Sequence, residues 1–351
     1  MSYLRENIER LAGYVPGFQP VGADVVKLNT NENPYPPSPK VIEAVRGISA
    51  EALRRYPSPL GDEFRNAAAK VYSVSPDSIL CCNGGDDLLT IAVRAFCDED
   101  RTIAYPVPTY SLYPVLAGIQ NCPETIEIPY PEDLSIPDGL ADTGAGLTVI
   151  CNPNAPTGSF VKPEELKTFA KKLEGKSILL IDEAYVDFAE TNCMGLIESC
   201  PNVIILRSMS KGYSLAGVRF GFAIASPELI EGLRKVKDSY NVDSIAITAA
   251  TAAITDQGYF AKTIEKVKSQ RARLSAALRE LGLTVPDSQA NFVLAECKDC
   301  NAADIYDKLA EQDIYVRYFD IPTLNDKLRI TVGTARQNDK LLDALKGILS
   351  K

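Results

Sequence analysis

Between residues 60 and 225, seven short apolar runs alternate with stretches long enough to form helices. The runs are "SILCCNG" (78–84), "RTIAYP" (101–106), "ETIEIP" (124–129), "LTVICNP" (147–153), "SILLIDEAY" (177–185), "NVIILR" (202–207) and "RFGFAIA" (219–225). Short and rich in Ile, Val and Leu, they read as strands buried on both faces. Between them, "GDDLLTIAVRAFC" and "KPEELKTFAKKLEG" read as helices. The second has a proline near its start, acids in its first turn and Gly175 after its last. Strands and helices in alternation predict an α/β fold with a mostly parallel seven-stranded sheet between layers of helices. Ligands of such sheets gather beyond the carboxyl ends of the strands.

After residue 240 the pattern changes. Residues 244–282 are helix-rich, with a long charged amphipathic stretch, and "NFVLAEC", "IYVRYF" and "KLRITVG" follow as short strands. The expected division is an N-terminal arm (1–30) packed beside the small domain, a large ligand-binding domain (31–240) and a small α+β domain (241–351). A chain of 351 residues, 46% hydrophobic, can fill two such cores. The proline-rich "NENPYPPSP" is expected to be a loop near the boundary.

Composition narrows the chemistry. A net charge of −9 argues against nucleic acid or an anionic membrane as the main partner. No apolar run is long enough to span a bilayer, and "MSYLRENIERL" is an amphipathic start rather than a signal peptide. Nine cysteines do not form a disulfide framework, so the expected setting is cytoplasmic and reduced. The C-x-x-C of Cys297 and Cys300 lacks a second pair, and it reads as incidental. The chain contains no histidine. That removes Ser-His-Asp and Cys-His nucleophile systems, imidazole acid–base catalysis and His-ligated metal sites. No metal site is expected.

The strand-end loops supply what remains. "NGGDD" (83–87) follows a strand and opens a helix, which makes an anion seat of backbone N–H groups. "LLIDEAY" places Asp182 at a strand end with Tyr185 three residues on. "SMSKGYSLAGVRFGF" (208–222) brings Lys211 to the end of a buried strand, between Ser208 and Ser210, with Arg219 eight residues later. Neither a surface lysine nor a core position explains that setting. An anion seat, an acid, a phenol, a lysine and an arginine together read as a site for pyridoxal phosphate.

The set "NENP", "RYPSP", "PTYSLY", "NPNAPTG", "IDEAYVDF", "SMSKGYSLAGVRFG", "ANFVL" and "LRITVGT" resembles the histidinol-phosphate aminotransferase branch of fold-type-I pyridoxal phosphate enzymes. The resemblance implies that Lys211 condenses with the cofactor aldehyde and then moves the substrate Cα proton. Asp182 would pair with the pyridine nitrogen, Tyr185 would hydrogen-bond the ring oxygen and Tyr110 would stack on the ring. Gly85, Asp86, Ser208, Ser210 and Arg219 would hold the phosphate. Arg329 and Arg317 would receive the anionic groups of the substrates, with Tyr14 at the substrate phosphate and Asn33 and Glu32 closing over it. Tyr56 would cross to the cofactor of a neighbouring subunit, which implies a homodimer. Where the family carries Asn before "PTG", this chain has Ala155. Asn154 is the expected substitute as ring-oxygen ligand, with Asn152, or Tyr185 alone, as the alternatives.

The implied reaction is amino transfer from glutamate to imidazole-acetol phosphate, giving histidinol phosphate in histidine synthesis. Three other readings stay open. They are an aromatic amino acid aminotransferase, a threonine-phosphate decarboxylase, and a non-catalytic regulator, which would need a DNA-binding module that no basic segment before residue 30 provides.

Overall fold

The computed structural model describes residues 2–22, 24–298 and 300–350. In chain order its strands are β1 (Val26–Lys27), β2 (Ile79–Cys82), β3 (Ile103–Val107), β4 (Ile126–Pro129), β5 (Leu147–Cys151), β6 (Ile178–Asp182), β7 (Val203–Ser208), β8 (Gly221–Ala225), β9 (Phe292–Glu296), β10 (Ile314–Tyr315), β11 (Arg317–Tyr318) and β12 (Lys327–Thr331). β2 to β8 form one sheet in the order β2-β8-β7-β6-β5-β3-β4. All are parallel except β8, which runs against both its neighbours.

Each central strand is apolar throughout because both its faces are covered. Ile204 and Leu206 of β7 join Leu180, Leu88, Ile91 and Ala92 on one face. Val203 and Ile205 join Leu179, Ile181, Leu166 and Phe169 on the other. Burying each such side chain contributes about 1.5–3 kcal/mol. Pro163 sits in the first turn of helix Pro163–Leu173, with Glu164 and Glu165 beside it and Lys171 and Lys172 in the last turn, as the helix dipole favours.

The helix Ser244–Thr255 lies elsewhere than expected. Its Ala246, Ala249, Ala250 and Ala253 pack into the cluster of Phe64, Ala68, Phe220 and Phe222, on the side of the large sheet. An alanine-rich helix, apolar all round, can approach its neighbours closely and be buried on every side. The smaller unit begins in effect with helix Gln257–Glu280. Its antiparallel sheet, β11-β12-β9, packs in one core with Val267, Leu274, Ile305, Leu309, Leu341 and Leu345. "IYVRYF" is not one strand: its first half pairs with β1, and its second with β12.

The N-terminal arm is divided too. Helix Glu6–Arg10 meets the large unit, where Asn7 donates to the carbonyl of Gly118 at 2.8 Å. Phe18 packs 5.4 Å from Tyr315, and β1 pairs with β10. The arm therefore bridges both units across the carboxyl edge of the large sheet. No helix among the described residues is long and apolar enough to cross a membrane.

Gly146 marks how tightly β5 enters the sheet, since a Cβ there would lie 2.1 Å from the carbonyl oxygen of Phe96. Gly146→Ala is expected to cost about 1–3 kcal/mol, as overpacking against rigid backbone does. Urea unfolding should show a lower midpoint at unchanged slope, whereas an unchanged midpoint would mean that the segment gives freely.

Candidate active site

A cavity of about 520 Å³ opens where β6 and β7 end and the arm passes over them. Asp182, Tyr185, Ser208, Ser210, Lys211, Arg219, Gly85, Asp86, Tyr110, Tyr14, Glu32, Arg317 and Arg329 all line it. Asp182 is 4% exposed and accepts from the Tyr113 hydroxyl at 2.9 Å and the Ala184 amide at 3.1 Å. Burial pushes its carboxyl up to about 6, against the pull of those two donors. Tyr185 receives a hydrogen bond from Asn31 Nδ2 at 3.0 Å, which leaves its own proton free for a further acceptor. Burial raises this phenol to about 12, while Arg329 and Asn31 hold it back, so it stays protonated at neutral pH.

Lys211 Nζ donates to the carbonyl of Thr30 at 3.1 Å. Burial and then Arg329 lower its pKa to about 8, with Glu32 pulling the other way. Its amine is therefore partly neutral near neutrality, as a nucleophile requires. Arg329 and Arg317 are cross-strand partners. Like charges directly opposed are unfavourable unless something negative sits between them. Arg329 donates to the carbonyl of Asn29 at 2.8 Å, while its buried Nε has no acceptor.

The opposite end of the cavity is built for an anion. Helix Gly85–Phe96 starts there, with first-turn N–H groups that have no intrahelical acceptor. A Cβ on Gly84, at φ +89°, would come within 2.7 Å of Arg219 Nη2, and one on Gly221 within 2.8 Å of the Gly84 carbonyl carbon. Only glycines let this arginine approach the helix start. Arg219 spans to Ser210 Oγ and Asp86 Oδ2, both at a long 3.4 Å. The Tyr110 hydroxyl donates to Asp86 Oδ1 at 3.2 Å.

Two expectations need correction. Asn154 is no ligand in the cavity. Its Oδ1 accepts from Thr109 at 2.8 Å, and its Nδ2 serves Pro108 and Thr157, so both ends of the amide brace the loop. Asn152 is spent on Val161 in the same way. Asn33 does not line the cavity: its Nδ2 donates to the carbonyls of Lys211 and Gly212 at 3.0 and 3.2 Å, holding the lysine loop. Tyr56, expected to reach a neighbouring subunit, is 80% exposed outside this chain's own cavity and stacked on Tyr240 at 4.5 Å. Sequence reasoning passed over Asn31 and Tyr113. The sequence signals were slight: Tyr113 stands three residues after Tyr110, just inside the start of helix Leu112–Gln120, and Asn31 opens the "NENP" run.

The family model "Aminotransferase class I and II" matches residues 23–345, and the chain belongs to that family. Among curated relatives, histidinol-phosphate aminotransferase 1 of Nostoc sp. is 49% identical over 99% of this chain and 98% of its own length. The histidinol-phosphate aminotransferase of Citrifermentans bemidjiense is 44% identical over 99% and 98%. The crystal structure of histidinol-phosphate aminotransferase from Sinorhizobium meliloti, in complex with pyridoxal-5'-phosphate, superposes with a TM-score of 0.91. That protein is 27% identical, and the match covers 100% of this chain and 98% of that one.

The raised carboxyl of Asp182 carries a stability consequence. With a folded value of about 6 against an ordinary 3.8, the cost of ionising it is fully present above pH 6 and vanishes as the pH falls towards 4. Asp182→Asn keeps the shape, and the Tyr113 hydroxyl can turn to accept. Thermal melts of the ligand-free chain at pH 8 should therefore show the variant higher by a few degrees, up to about 3 kcal/mol. The difference should close near pH 4; an equal gain at both pH values would disprove the electrostatic origin.

Proposed function

We propose that this chain catalyses pyridoxal-phosphate-dependent amino transfer between L-histidinol phosphate and 2-oxoglutarate, running in the cell towards histidinol phosphate. The observation that carries the reading is the opposed pair Arg317–Arg329 facing Lys211 in the same cavity as Asp182 and the helix Gly85–Phe96. Both partner acids bring an anion, a carboxylate or a phosphate ester, to the arginine end. Full-length relatives at 49% and 44% identity bearing that name support it.

The residues fit the cofactor. The cradle of Gly84 and Gly221 under Arg219 suits a phosphate, with Ser208 and Ser210 adding hydroxyls. Asp182 suits a protonated ring nitrogen, and that cation would restore its charge against burial. The free proton of Tyr185 suits the ring oxygen, without the asparagine replaced by Ala155. When bound, pyridoxal phosphate supplies the electron sink for a negative charge at the substrate Cα. Asp182 keeps a proton on the pyridine nitrogen. Arg329 and Arg317 clamp the substrate anion and thereby aim the Cα–H bond at Lys211. Lys211 Nζ would take that proton from Cα and deliver it on the cofactor side, away from Cα, since returning it to Cα would only regenerate the substrate. Tyr14, 5.9 Å from Tyr110 in edge-to-face contact, closes the arm over the site and excludes water.

The assignment extends to organisation. The large cofactor-binding unit starts near residue 31 and takes in helix Ser244–Thr255, the small unit follows, and residues 1–30 form the arm. The exposed Tyr56, stacked on the half-exposed Tyr240, supports a homodimer in which this tyrosine reaches the partner's cofactor. All nine cysteines are free, which supports a reducing cytoplasm.

Purified enzyme given L-histidinol phosphate and 2-oxoglutarate should form glutamate. Carbon dioxide release from O-phosphothreonine, or a clear preference for phenylalanine, would replace this reading with a lyase or an aromatic aminotransferase. Arg329→Gln should lower kcat/KM about 100-fold for both substrates, the loss expected of a charge-assisted clamp.

The depressed amine of Lys211 gives a pH test. Covalent uptake of pyridoxal phosphate by the cofactor-free chain, followed by absorbance, should quicken as pH rises through about 8, where the amine becomes neutral. Because Arg329 is the largest charge lowering it, Arg329→Gln should move that midpoint upward. Lys211→Ala should abolish the uptake; a midpoint near 10 in the unmodified chain would contradict the site's electrostatics.

A further inference from the structure

Directly behind the cavity lies a buried ionic triad that the reaction does not use. Arg207 sits on β7 between Leu206 and Ser208, and Glu183 follows Asp182 at the end of β6. Side chains alternate across a strand, so Asp182, Leu206 and Ser208 face the cavity while Glu183 and Arg207 face away. There Arg207 Nη1 meets Glu183 Oε2 at 3.2 Å and Nη2 meets Asp187 Oδ1 at 2.6 Å. The three side chains are 7%, 0% and 5% exposed. Glu183 also accepts from the Cys193 amide at 2.6 Å, and the guanidinium lies 5.1 Å from the centre of the Tyr72 ring.

Such a triad is a poor way to gain stability, because desolvating three charges offsets most of their attraction. Its placement suggests another use. The second carboxylate oxygen of Asp187 rests on the backbone of Gly212, where a Cβ would lie 2.1 Å from it. Asn33 also holds this segment, donating to the carbonyls of Lys211 and Gly212. The Lys211–Gly212 peptide is thus gripped by both Asn33 and Asp187. Asp187 is in turn tied through Arg207 to the residues adjoining Asp182 and Ser208.

We propose that the Arg207–Glu183–Asp187 triad is a positioning device that fixes Lys211 relative to Asp182 and the phosphate cradle. This rests on the amino-transfer reading, in which Lys211 must reach one particular proton. Arg207, Glu183 and Asp187 touch no substrate; they act by holding the ends of β6 and β7 and the lysine loop in one rigid frame. Misplacement by about 1 Å costs on the order of 100-fold in rate.

The test uses Asp187→Asn, which keeps the shape and removes one charge, and Gly212→Ala, whose Cβ forces the loop and Asp187 apart while keeping all three charges. In the holoenzyme both should lower kcat for amino transfer about 10- to 100-fold, with KM for histidinol phosphate within about threefold. In the cofactor-free chain, amide hydrogen exchange should quicken across residues 208–214 and stay unchanged in β3 and β9. Rates that fall only with the folded fraction, or exchange that rises everywhere alike, would reduce the triad to a general structural role and overturn the proposal. So would Gly212→Ala alone loosening the segment. If Asp187→Asn does not fold, Glu183→Gln takes its place, removing one charge from the other end of the triad. An unmodified holoenzyme unable to transfer amino groups would instead refute the function, while the exchange measurement would still judge the triad.

Discussion

The site depends on the parallel register of β5, β6 and β7. Cys151 pairs with Asp182, and Asp182 with Leu206, so β5 and β6 end level while β7 runs two residues further to Ser208. The alternation of side chains then sends Asp182, Leu206 and Ser208 to one face and Glu183 and Arg207 to the other. A slip of one residue would exchange the two sets, burying the triad's charges in the cavity and turning Asp182 away. The register is secured by apolar strands covered on both faces. Stability of the sheet and placement of the chemistry are thus one requirement.

The parts of the site held by a single strand end were legible in the sequence. Asp182, Lys211 and Gly84 follow buried runs, where their residue types make sense only beyond a strand's carboxyl end, and Arg219 leads into β8, the antiparallel strand that starts at the same edge. The seven strand candidates themselves were legible for the same reason. What escaped was set by contacts distant in the chain. Asn154 and Asn33 look like ligands because Asn is polar and sits in the right loops. Which hydrogen bonds their amides had already made, to Thr109 and Pro108 or to Lys211 and Gly212, depends on segments 45 to 179 residues away. Helix Ser244–Thr255 escaped because an alanine-rich helix carries no amphipathic stripe to name its partner. "IYVRYF" escaped because one extended run can serve two sheets.

The electrostatics of the cavity run against those of the chain. The molecule carries a net charge of −9, yet Lys211, Arg219, Arg317 and Arg329 converge on one space, where Glu32, Asp86 and Asp182 oppose them. Asp86 shares Arg219, and Glu32 is held by Lys27 Nζ at 2.6 and 2.7 Å. The excess positive charge makes the cavity attractive to small acids. It also lowers Lys211, since Arg329 is the strongest charge acting on that amine.

The same coupling has a direction. A substrate carboxylate or phosphate held between Arg317 and Arg329 would offset the share of the depression that Arg329 causes, burial being the larger cause. The amine's affinity for a proton would then rise as the substrate arrives, by the charge its binding neutralises. Before binding, a lowered pKa keeps the amine neutral and nucleophilic; after binding, the same nitrogen becomes the stronger base that removing a Cα proton demands. One lysine can meet both needs only if its environment changes between them. The cross-strand arginine pair supplies that change without moving the backbone, because the variable is the charge lying between two fixed guanidinium groups.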